Sequence, residues 1–99
     1  MIIYLKKFGT TLTSRQIGKE AFAAILPVIK TAEAHERIEI DFDGVVTFSP
    51  SWGDEFFRPL FEQFAGRVFL KASNNASVKA TLAMLEKVYG KPLPQSPAK

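Results

Sequence analysis

The 99 residues are 46% hydrophobic and 23% charged, the balance of one small globular domain and not of a disordered chain. Cysteine is absent and histidine occurs once, which excludes a disulfide scaffold, thiolate chemistry and a Cys- or His-rich metal site. The net charge of +3 owes much to the last nine residues, KPLPQSPAK: without them 11 basic residues face 10 acidic ones, dispersed and not clustered as a nucleic-acid binder requires.

No apolar run approaches the roughly 20 residues of a membrane span. The start, MIIYLKK, puts apolar residues before charges, the reverse of a signal peptide. A cytoplasmic protein with no membrane partner is expected.

In chain order, Ile2 to Lys7 reads as a short strand, broken at Phe8-Gly9, and Thr10 to Leu12 as a second. Thr13 with Gln16 three residues on fits a capping box. The helix that follows should bury Ile17, Ala21, Ala24, Ile25 and Val28. Pro27 should kink or end it, with a remnant trailing to about Ala34.

Arg37 to Phe42 is the clearest strand, with Ile38, Ile40 and Phe42 alternating with Glu39, Asp41 and Asp43. Val45 to Phe48 reads as an apolar connection. Ser51 with Asp54 resembles an N-cap and its acid, opening a helix with Phe56, Phe57, Leu60, Phe61 and Phe64 on one face. A bend is expected near Glu55 to Pro59, and Gly66 should close the helix. Val68, Leu70 and Ala72 alternate with Arg67, Phe69 and Lys71 in a further strand. Ser73-Asn74-Asn75 is turn chemistry, and Val78, Leu82, Leu85 and Tyr89 carry the last helix, stopped by Gly90 and Pro92.

Residues 1–90 therefore read as one domain and 91–99 as a disordered Pro-rich tail. Strands alternating with helices predict an α/β layer, βαβαβα, with a mixed sheet of about four strands and helices mainly on one face. Glu39, Asp41, Arg67 and Lys71 should lie on the other.

Several chemistries can be weighed against these residues. Ser51, His35 and Asp41 supply the residue types of a hydrolytic triad, but the strand between them separates His35 from Ser51, and no G-x-S-x-G elbow is present. Asp41 and Asp43 share a strand face and could hold Mg²⁺; a charged sheet face ending in an Asp-Gly turn is the favoured account of them. No Gly-rich phosphate loop occurs, so no nucleotide cofactor is expected. A nucleic-acid adaptor would use Lys6, Lys7, Arg15 and the tail. Trp52 sits among polar Ser51, Gly53 and Asp54, where an exposed indole could anchor a partner.

The segment IEIDFDGVVTFSPSWGDEFFRPLFEQF resembles the STAS domain of sulphate transporters and anti-sigma factor antagonists. Ile40-Asp41-Phe42 matches the strand end of that family, Gly44-Val45 its turn, and Ser49-Pro50-Ser51-Trp52 its helix-opening loop. A closer likeness is to bacterial STAS-like domains, through Phe8-Gly9, Ser14-Arg15 and the run Ser51-Trp52-Gly53-Asp54-Glu55, over about residues 2 to 89. The resemblance implies a non-enzymatic interaction module, with no metal or cofactor, that docks a histidine-kinase-type ATPase or anti-sigma-like partner. The implied docking residues are Ser49, Ser51, Trp52, Asp54 and Glu55. In antagonist-type members the partner kinase phosphorylates a Ser at the helix start, which falls on Ser51 here. From the residues alone, Ser51 is either a structural cap or that phosphoacceptor. The chain departs from the family pattern at Ser49, Pro50 and Trp52, which stand where Asp, Ser and Gly are usual.

Overall fold

A computed structural model describes residues 1–97. The elements run β1 (Ile2–Tyr4), a 3₁₀ turn (Leu5–Phe8), β2 (Thr11–Leu12), α1 (Arg15–Ile29), β3 (Ile38–Asp41), β4 (Thr47–Phe48), α2 (Pro50–Gln63), β5 (Val68–Leu70) and α3 (Ala76–Tyr89). The class is α/β, as expected. The strands form a three-stranded sheet in the order β1-β3-β5 and a separate β2-β4 pair, all parallel and not mixed.

That strand order explains why helices cover one face. The sheet advances in a single direction, so right-handed crossovers bring every helix back to the same side. Ile3, Ile38, Ile40, Val68 and Leu70 point to the helices and are buried. Ile2, Tyr4, Glu39, Asp41 and Phe69 occupy the alternate positions and are partly or fully exposed. There Arg37 pairs with Glu39 at 3.4 Å and stacks 3.8 Å over the Phe69 ring, and Lys71 lies 3.9 Å from Asp41. Arg67 was expected on this face; it instead donates to the carbonyls of Glu33 and Glu36, tying down the loop before β3.

Helix α1 starts one residue later than the capping box indicated: Ser14 is the N-cap and accepts from the Ile17 N–H. Its buried face is Gly18, Ala21, Ile25 and Ile29. Ile17, Ala24 and Val28, expected inside, are exposed. Gly18 sets that rotation. A Cβ there would lie 2.5 Å from the Trp52 carbonyl oxygen, so α1 and α2 touch backbone to side-chain-free backbone. Pro27 and Pro59 both sit inside continuous helices, and α1 ends at Ile29. Val45 to Phe48 is more than a connection, because Thr47 and Phe48 pair with Thr11 and Leu12.

Residues 91–97 correct the expected disordered tail. Leu93 is buried at 3% exposure, and Gln95 bridges Leu70 in parallel as a fourth position at the sheet edge. One leucine joined to the core cluster outweighs the polar, proline-rich composition around it. Residues 98 and 99 lie outside the described residues.

Candidate functional site

The sequence motifs converge at the start of α2. Ser49, not Ser51, caps the helix: its hydroxyl accepts from the Trp52 N–H at 3.4 Å and donates to the Thr13 carbonyl at 2.9 Å. Pro50 follows at the first helical position, where its missing N–H costs nothing. Ser51 is therefore the second helical residue, half-buried and outside the cap.

Trp52 is not an exposed anchor. It is 0% exposed and stacks on Phe56 with ring centroids 4.9 Å apart, with Phe8 at 6.2 Å and Phe48 at 5.8 Å. The face Phe56-Phe57-Leu60 extends one turn back to Trp52 and Gly53, which explains the burial. The Trp52 indole N–H has no hydrogen-bond partner among the described residues. Gly53 leaves room for Phe48 and Leu85, each of which would lie 3.1 Å from an added Cβ.

Asp54 and Glu55 face outward and are fixed by charge. Asp54 accepts from Arg15 at 3.3 Å, from Arg58 at 3.1 Å and from the Tyr89 hydroxyl at 2.9 Å. Arg15 also reaches Glu55 at 2.7 Å. One carboxylate thus joins α1, α2 and α3. Burial pushes the Asp54 carboxyl up, yet the bonds from Tyr89, Arg15 and Arg58 outweigh it and hold the group below its ordinary range. Burial and the bond to Asp54 push the Tyr89 hydroxyl well up. The guanidinium of Arg15 is raised by its bonds to Glu55 and Asp54.

Phe8-Gly9, Ser14-Arg15 and Ser51 to Glu55 are thus parts of one assembly. Phe8 packs on Trp52 and Phe56, Gly9 takes φ +124°, Ser14 caps α1, and Arg15 clasps both acids. The sequence did not disclose Arg58, Tyr89 or Gly18 as members. Only the Asp54–Arg58 pair, four residues apart on a helix, had a readable spacing.

The residues of the enzymatic alternative lie elsewhere. Asp41 accepts from the Asp43 N–H at 2.8 Å, and Asp43 is 82% exposed beside Lys6. Both line a shallow cavity of about 340 Å³ at the carboxyl ends of β3 and β5, with Ser73 and Asn75 but without Ser51 or His35. Among the described residues no group of three or more His, Cys, Asp or Glu could hold a metal ion. The basic residues weighed for nucleic acid are dispersed in the fold as well: Lys6 faces Asp43, Lys7 lies over Phe8, and Arg15 is held by two acids. No helix among the described residues is long and apolar enough to cross a membrane.

Comparison with known families agrees with this α/β layer. Residues 18–76 match the STAS-like domain of unknown function (DUF4325), and the chain belongs to that family. Neither a curated protein nor a solved structure matches it.

Proposed function

We propose that this domain is a non-enzymatic interaction module of a bacterial regulatory system. It docks a histidine-kinase-type ATPase or anti-sigma-like protein through the outer surface at the start of α2. The observation that carries the reading is the convergence of three separated motifs on one charge-fixed surface. Arg15, Asp54, Glu55 and Arg58 hold each other in place, so their geometry is set before any partner arrives. Preorganised charges of both signs favour selective protein contact over capture of a small molecule. Ser49, Ser51, Asp54 and Glu55 form a half-buried outer layer, and buried Trp52 supports them from below.

A second reading, phosphorylation of Ser51, gains support from the cap. Ser49 does the capping, which leaves the Ser51 hydroxyl without that duty. Arg15, already bound to the acids one turn on, would offset the repulsion between them and a phosphate.

The test is a pull-down with a histidine-kinase-type ATPase of the same genome. Arg15→Ala and Ser51→Asp should each weaken capture while the circular dichroism of the domain is retained. Phosphate on Ser51 by mass spectrometry after incubation with ATP would establish the switch. Unchanged capture by both variants would remove this surface from the docking site.

A further inference from the structure

The segment after α3 is bound as a strand would be, but by few bonds. The Leu70 N–H donates to the Pro94 carbonyl at 2.9 Å, and the Ser96 N–H donates to the Leu70 carbonyl at 2.8 Å. Pro92, Pro94 and Pro97 have no N–H to add. Leu93 is buried, its N–H held by Glu86 at 2.9 Å, and the Ser96 hydroxyl donates to Glu39 at 3.0 Å. Gly90, in the left-handed region at φ +73° with open space around it, joins this strap to α3.

Among the described residues, the strap does not fill the groove it lies in. A cleft of about 290 Å³ continues beside Gln95, between the first turns of α3 and the end of β5, and Lys71, Lys79, Leu82 and Glu86 help to line it. A longer extended segment would make contacts there that the strap leaves unmade. An acidic side chain at the Gln95 position would face Lys71 and Lys79.

We infer that the outer edge of β5 is a strand-acceptor site. Residues 92–96 occupy it, and an extended peptide of a partner displaces them. That peptide carries a leucine-sized side chain where Leu93 sits and an acidic one where Gln95 sits. Backbone pairing at Leu70 supplies affinity, and the two side-chain positions supply selectivity. The surface is separate from the start of α2, so the inference goes beyond the docking reading and does not depend on it.

Amide exchange in the full chain tests it, because neighbouring residues report opposite edges. Leu70 N–H is bonded to the strap, and Lys71 N–H is bonded to Ile40 of β3. In the wild type, Leu70 should exchange at least ~10-fold faster than Lys71, as a locally opening segment does. Ser96→Glu sets a like charge against Glu39 and should release the strap, speeding Leu70 further and leaving Lys71 unchanged. A synthetic peptide of residues 91–97 bearing Gln95→Glu should then cause saturable NMR shifts at Leu70, Lys79 and Glu86 of this variant. Lys79→Glu in the same background should weaken that response. Equal exchange of Leu70 and Lys71 in the wild type would overturn the proposal, as would a released edge that ignores the peptide. If Ser96→Glu does not fold, Leu93→Ala replaces it. Failure of both to fold would make the strap part of the core and overturn the proposal too.

Discussion

Gly18→Ala tests how α1 and α2 are fitted together, and its sign is opposite to intuition. In an exposed helix the change gains about 1 kcal/mol from propensity. In α1 the new Cβ would meet the Trp52 carbonyl oxygen at 2.5 Å and the Trp52 Cα at 2.9 Å. Both are backbone atoms, so no rotamer change relieves the contact, and the helices must part by roughly 1 Å to reach ordinary van der Waals separation. Such overpacking costs about 1–3 kcal/mol, and the backbone contact places it at the upper end. Phe56, which meets the Phe22 ring of α1 edge-on at 6.5 Å, moves with α2 and loses contact as well. Set against the propensity gain, the net is a loss of about 1–2 kcal/mol, a fall of about 5–15 °C in melting temperature. Urea unfolding followed by the fluorescence of the single tryptophan reads it directly. Ala24→Gly, exposed on the same helix, should lose about 1 kcal/mol through propensity alone. A Gly18→Ala variant as stable as the wild type, or more so, would refute the close-approach argument.

Ser49→Ala should lose about 1 kcal/mol of stability, the usual worth of an N-cap, while Ser51→Ala should stay within about 0.5 kcal/mol; denaturant midpoints measured side by side decide between the two serines. Ile40→Ala, fully buried in the central strand, should cost about 2–5 kcal/mol by the same assay. Acid should destabilise the domain through Asp54, which is held below its ordinary range. Stability from that depression is fully present above the unfolded carboxylate value of about 3.9, and it is lost as pH falls through the lower folded value. Glu36, bonded to the N-terminal ammonium and the Glu33 N–H, and Glu39, bonded to Ser96 and Arg37, are lowered too and act in the same direction. Melting temperature should therefore fall as the pH drops below about 4, and Asp54→Asn should soften the acid slope.

The strand-helix alternation, the burial of Ile38, Ile40 and Phe42 and the placement of helices on one face were legible because period-2 and period-3.6 patterns report burial directly. The errors have physical causes. Ile17 and Val28 drew the α1 face about one residue out of place, because Gly18 carries no hydrophobic mark yet permits the closest helix contact. Trp52 read as exposed because its sequence neighbours are polar, although it lies one helical turn before Phe56 and shares its face. The cap at Ser49 was hidden by Ser51, which offered the more familiar spacing to an acid. Leu93 was lost in a proline-rich stretch because one buried residue gives no period. At the candidate site the acids were legible and their partners were not: Arg15 and Tyr89 lie 39 and 35 residues from Asp54, and only the fold brings them there.

The most direct test of the docking reading is to map the contact without choosing residues beforehand. The ¹⁵N-labelled domain is titrated with an unlabelled histidine-kinase-type ATPase of the same genome, and amide shifts and line broadening are followed along the chain. The account predicts that the changes centre on residues 14–15 and 49–58, with Trp52 affected through its backbone while the Phe8–Trp52–Phe56 cluster keeps its packing. Changes confined to the open sheet face at Ile2, Tyr4 and Phe69, or no change at saturating ATPase, would contradict it.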